Sequence, residues 1–167
     1  MEVTTAMVKQ LRETSGAGVM DAKRALEEAN GDMAAAVVIL REKGALAAAK
    51  RADRETRNGV IESYIHAGGR IGVLLELNCE TDFVANTDDF RQLARNIAMQ
   101  IAAMDPAVVS PEDRKPEHEG PDAEVCLLSQ PYIRDGSQTI GNLVKEVIAK
   151  TGENVRVTRF TRYELGR

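Results

Sequence analysis

Apolar residues return at helical spacing in three consecutive runs at the start of the chain. Behind Thr4 and Thr5, the residues Met7, Val8 and Leu11 share one face until Ser15-Gly16-Ala17-Gly18 interrupts them, so a first helix capped by one of the two threonines is predicted. A second helix is predicted from about Val19 to Glu28 and stops at Asn30-Gly31, where a glycine takes the left-handed conformation without a Cβ clash. Asp32 caps a third, which carries Val37, Val38 and Leu40 and has Gly44 past its end. These helices make a unit over residues 1–45, near the lower size limit for independent folding. Residues 46–57, alanine-rich and then charged, read as a helical or extended connector.

The period then changes. GVIESYIHAGGRIGVLLELN holds two β-rich runs around Ala67-Gly68-Gly69-Arg70, a hairpin signal because paired glycines permit positive φ. The second run puts Val73, Leu75 and Leu77 on one face and Leu74 on the other, so the sheet needs two covers. One cover is a helix from about Asp88 to Met104, striped by Phe90, Leu93, Ala94, Ile97, Ala98 and Ile101 and stopped by Asp105-Pro106. The other cover is expected from a second copy of the chain.

Residues 110–124 hold three of the five prolines and an acidic excess, and are expected to form an exposed loop with little structure of its own. A helix over about 139–150 follows, carrying Ile140, Leu143, Val144, Val147 and Ile148 and closed by Gly152. The final NVRVTRFTRYEL is a strand by its β-branched and aromatic content, and its arginines send it to an edge. Paired to the hairpin, it completes a three-stranded antiparallel sheet packed by helices over residues 58–167. The expected fold class is α+β.

Composition narrows the function. With 43% hydrophobic residues the chain can bury a core, and a formal net charge of −4 argues against a surface that binds nucleic acid through its phosphates. Lys50, Arg51, Arg54 and Arg57 outnumber Asp53 and Glu55 in the connector, and a solvated linker face is preferred there to an RNA site. Cys79 and Cys126 stand alone, which suits a reducing compartment rather than a disulfide or zinc framework. No window approaches the roughly 20 apolar residues of a membrane span, so no membrane association and a cytoplasmic location are expected.

Catalytic chemistry is hard to find. Gly136-Ser137-Gln138-Thr139-Ile140-Gly141 has half the spacing of a phosphate-binding loop, but Asn142 and Leu143 replace its lysine and hydroxyl residue, so no direct nucleotide binding and no cofactor are expected. Cys79 and His66, expected at neighbouring ends of adjacent strands, could pair as an activated thiol. No orienting third group or oxyanion feature accompanies them, and a buried, inert Cys79 is the simpler reading. His118 reads as a solvated loop residue. The unexplained stretch is Asn78-Cys79-Glu80-Thr81-Asp82-Phe83-Val84-Ala85-Asn86, which spends one of three phenylalanines on a polar junction in a chain without tryptophan.

That stretch, together with Leu11-Arg12-Glu13-Thr14-Ser15-Gly16-Ala17-Gly18-Val19-Met20-Asp21-Ala22-Lys23-Arg24-Ala25-Leu26, resembles the two signatures of the elongation factor Ts family, in the right order and spacing. The likeness continues through QPYIRDGSQTIGNLVKEV and NVRVTRFTRYELG and covers nearly the whole chain. It implies a non-enzymatic guanine nucleotide exchange factor that releases GDP from the GTPase elongation factor Tu. It also implies that the first three helices are a ubiquitin-associated-like module docking on the GTPase through Lys9, Arg12, Val19 and Met20. Thr81, Asp82, Phe83 and Val84 would then disturb the partner's magnesium and phosphate-loop contacts, with Phe83 as a wedge and His66 a weaker contact. On the residues alone, Val19 and Met20 could equally start a helix and pack inward, and Phe83 could plug the core under the Asp88–Met104 helix. The compact form resembles members that act as homodimers. A ubiquitin-associated-like adaptor that only scaffolds a partner is the alternative function.

Overall fold

A computed structural model describes residues 3–167. Three helices open the chain: α1 (Thr5–Ser15), α2 (Val19–Glu28) and α3 (Met33–Ala49). Thr4 caps α1 by accepting the Met7 N–H, and Asp32 caps α3 by accepting the Ala35 N–H at 3.0 Å. Asn30 and Gly31 turn the chain between α2 and α3 with φ of 51° and 84°. Val8, Leu11, Ala22, Ala25, Leu26 and Ala36 close a small core of their own.

The third helix does not end at Gly44, as its sequence suggests, but continues to Ala49. Gly44 lies against Ala149: a Cβ added there would stand 3.6 Å from the Ala149 Cβ. Glycine inside a helix costs about 1 kcal/mol relative to alanine. Close packing of the Gly44–Ala49 stretch on a second helix, α7 (Ile140–Thr151), offsets that cost. Ala48 thereby joins the main core.

The hairpin forms as β1 (Asn58–Ile65) and β2 (Ile71–Cys79), with Gly68 and Gly69 at φ of 89° and 69° in its turn. Two helices follow, α4 (Asp82–Ala85) and α5 (Asp88–Met104), then the short α6 (Asp122–Val125). The last strand, β5 (Val155–Glu164), returns antiparallel to β2, giving the order β1-β2-β5. Val73, Leu75 and Leu77 of the central strand bury against Phe90, Leu93, Ala94, Ile97 and Ile101 of α5. The register slips between Glu76 and Leu77, where Thr158 is the extra residue of a bulge. The slip changes phase in β5, so that Arg162 stands opposite inward-facing Val73. Its guanidinium donates to the Ala102 carbonyl at 3.1 and 3.2 Å, near the C-terminal end of α5, where a cation is favoured.

Two details depart from the sequence reading. Pro131–Tyr132 and Asp135–Thr139 form an unanticipated small hairpin, β3 and β4. It is held by the buried Gln100, whose carboxamide donates to Pro131 O at 3.0 Å and accepts from Ile133 N at 2.9 Å. The acidic loop is also more ordered than its composition suggests. Arg114 donates to the carbonyls of His118 and Gly120 and pairs with Asp122, closing the loop on itself.

Candidate functional site

The junction after β2 is built from two threonine caps. Thr81 accepts the Val84 N–H and starts α4, and Thr87 accepts the Phe90 N–H and starts α5. In each helix the residue whose N–H is capped points inward: Val84 is 6% exposed and Phe90 is fully buried. Phe83, one position earlier, points out and is 82% exposed. Phe83 is therefore not a core plug. Val84, in turn, is no surface contact; it anchors the turn that presents Phe83. Thr81 and Asp82 are exposed beside the ring, and the Asp82 carboxylate has no ion-pair partner among the described residues.

The turn is fastened at several points. One oxygen of Glu153 accepts the N–H groups of Glu80 at 3.2 Å and Thr81 at 3.0 Å, and the other accepts the Thr81 hydroxyl at 2.6 Å. The Glu80 side chain accepts the Asn154 N–H at 2.7 Å, and Asn58 donates to the Glu80 carbonyl at 2.9 Å. Arg91 donates to the Ala85 carbonyl at 3.0 Å. The ring thus projects from a braced bend, and ordering it on binding carries little backbone entropy cost.

Val19 and Met20 open α2 and are 52% and 57% exposed, so they do not pack inward. Lys9 and Arg12 are exposed on α1, with Lys9 3.9 Å from Glu13. The module is tied to the rest through α3 on α7 and through Lys150, which sits by Gly16 and pairs with Asp89 of α5 at 2.8 Å. His66 lies at the far end of the hairpin, its Nδ1 3.0 Å from the Tyr64 hydroxyl.

His66 and Cys79 are not neighbours, as the sequence reading supposed. Antiparallel pairing puts Cys79 opposite Asn58 and Ile65 opposite Gly72, so the two residues sit at opposite ends of the hairpin, about 25 Å apart at the usual rise per residue. Burial, with the Glu153 charge adding to it, pushes the Cys79 thiol up to about 11. Burial pushes Cys126 up as well. The glycine-spaced segment is no phosphate loop either. Gly136 to Thr139 lie in β4, and Gly141 is a packing glycine, since a Cβ there would be 2.9 Å from the Leu128 carbonyl. Among the described residues no cluster of three or more His, Cys, Asp or Glu could hold a metal ion. No helix among them is long and apolar enough to cross a membrane.

The family model for elongation factor Ts matches residues 2–118, a span that includes both the Val19-Met20 tip and the Phe83 turn. The chain belongs to the elongation factor Ts family. It is 52% identical to elongation factor Ts of Carboxydothermus hydrogenoformans, over 98% of this chain and 89% of that protein. Its identity to the Thermotoga maritima factor is 50%, over 99% of this chain and 98% of that one. The Desulforamulus reducens factor is also 50% identical, with 99% and 90% covered. These alignments run over 194 or 195 positions, more than the 167 residues here, so the relatives carry insertions this chain lacks. Its role lies in translation elongation.

Glu153 and Asn154 escaped the sequence reading. Their signal was indirect: once β5 pairs antiparallel to β2, Val155 stands opposite Cys79, and the two residues before it must meet Glu80 and Thr81.

Proposed function

We propose that this member of the elongation factor Ts family binds elongation factor Tu with GDP and speeds GDP release by disturbing the magnesium and phosphate site of the GTPase. The observation that carries this is Phe83, a large apolar ring held out into solvent by a turn whose backbone is bonded to Glu153 and capped by Thr81. Burying one phenylalanine supplies roughly 1.5 to 3 kcal/mol, whereas a 10⁴-fold loss of nucleotide affinity needs about 5.5 kcal/mol of coupling. A second contact must supply the rest. The Val19-Met20 tip with Lys9 and Arg12 on α1 is that contact, and Thr81 and Asp82 flank the ring as polar partners. His66, exposed at the hairpin turn, is a peripheral contact. Linkage then requires that nucleotide weaken the factor's own binding by the same ratio.

The protein works as a two-fold dimer in the cytoplasm, by binding and without covalent chemistry or a cofactor. The outer face of the sheet supports the dimer: Ile61, Ile65, Leu74 and Tyr163 are exposed there, with Ile65, Leu74 and Tyr163 towards the hairpin turn. Ile61 continues the face one step further on, opposite Glu76, which pairs with Arg159 at 2.7 Å. A self-complementary patch of this kind suits an isologous interface.

The test is release of labelled GDP from elongation factor Tu, with the wild-type protein and with Phe83→Ala. Acceleration by the first and its loss in the second supports the reading. An adaptor that only scaffolds a partner would leave the rate unchanged in both.

A further inference from the structure

A dense polar cluster lies behind the Phe83 turn, centred on the half-buried Glu153 and the buried Asn154. Asn154 is 5% exposed and makes three hydrogen bonds to two distant segments. Its backbone N–H goes to the Glu80 carboxylate at 2.7 Å, and its carboxamide donates to the carbonyls of Ala52 at 3.2 Å and Arg54 at 2.9 Å. Ala52 and Arg54 follow directly on α3, the last helix of the N-terminal module. Arg54 also reaches the Glu80 carboxylate, at 3.4 Å. Next to Asn154, Glu153 accepts three hydrogen bonds from Glu80 and Thr81, the residues that set the direction of α4.

Charge-assisted bonds from backbone N–H groups to a carboxylate are among the stronger hydrogen bonds, and a buried amide with its donors satisfied permits only one arrangement. One corner between α7 and β5 therefore fixes both the end of the N-terminal module and the turn that carries Phe83. If both must touch one GTPase molecule at once, their relative placement decides whether the second contact is made.

We propose that Glu153, braced by Asn154, is a positioning residue for nucleotide exchange: it holds the Phe83 turn in register with the N-terminal helices so that one partner molecule meets both. This rests on the exchange reading above. The carboxylate is half-buried behind the turn, and its effect passes through Thr81 to Phe83. Loss of it leaves the N-terminal grip intact while the ring is presented loosely, so the defect falls on the maximal rate rather than on the concentration needed for half of it.

The experiment measures labelled GDP release from elongation factor Tu over a range of concentrations of the full-length protein, alongside thermal unfolding of each variant. Glu153→Ala is expected to lower the maximal rate about tenfold while moving the half-saturating concentration less than about threefold. Glu153→Gln can turn its carbonyl to the two N–H groups and its amide to the Thr81 hydroxyl, and is expected to recover to within about twofold of wild type. Should the alanine variant not fold, Glu153→Asp, one methylene short, takes its place and is expected to lose at least about threefold in maximal rate. A rate unchanged in the alanine variant, or in the aspartate variant used in its place, overturns the proposal. So does a loss confined to the half-saturating concentration, or one that tracks the unfolded fraction. A glutamine variant no better than alanine also overturns it. A wild-type protein that fails to speed release overturns the exchange reading itself and takes the proposal down with it, an outcome distinct from the others.

Discussion

Phe83 and Phe90 differ by one place in the frame of their own helices, and that place separates an 82% exposed ring from a fully buried one. Each follows a threonine cap, but Phe90 is the residue whose N–H the cap accepts, and Phe83 precedes that residue. The two substitutions should therefore part activity from stability. Phe83→Ala is expected to abolish most of the exchange activity and to change unfolding free energy by no more than about 0.5 kcal/mol. Phe90→Ala leaves a cavity under the sheet and should cost about 3 to 5 kcal/mol by denaturant unfolding.

Met20, 57% exposed at the start of α2, makes a separate prediction. Met20→Glu puts a charge on the docking tip. Losing one buried methionine contact of about 1.5 to 3 kcal/mol should raise the half-saturating concentration for GDP release roughly 10- to 100-fold. Because the tip supplies part of the coupling to nucleotide, the maximal rate should fall as well, whereas Glu153→Ala should leave the half-saturating concentration within about threefold of wild type. Titrating the exchange rate against factor concentration tells the two apart.

Leu74, exposed in the middle of the outer sheet face, tests the dimer. Light scattering at micromolar concentration should give twice the 18.2 kDa of one chain, and Leu74→Arg should give the single-chain mass with its circular dichroism unchanged. A wild-type monomer at that concentration rules the dimer out.

The Cys79 thiol, raised from 9.0 to about 11 by burial, predicts a pH effect with a definite sign. Between those values the unfolded chain releases a proton that the folded one keeps, so folding stability is intact below pH 9 and falls as pH rises towards 11. Urea unfolding at pH 8 and pH 10.5 should show the decline, and Cys79→Ser should reduce it. The same substitution should leave GDP release near wild type, whereas a thiol enzyme would lose its activity.

Much of the fold could be read from local chemistry. Thr4 and Asp32 cap the helices whose starts they announce, and the period shift at residues 58–79 marks the hairpin. Where the reading failed, a distant segment overrode a local preference. Gly44 carries a stop signal that packing on Ala149 cancels. The β3–β4 hairpin is too short to show an alternation and depends on Gln100, about thirty residues away.

The sequence by itself determined the three opening helices, the long hairpin, the two later long helices and the last strand, with most of their buried faces, because caps, turns and periodicity act within a few residues. It could not choose between a buried and an exposed Phe83, since α4 has only four residues and a single turn has no period to read. Tertiary structure made that choice by giving Val84 the space beneath the sheet. It also created the corner at Glu153 and Asn154, because only antiparallel pairing of β2 with β5 brings residues 73 positions apart within hydrogen-bonding distance.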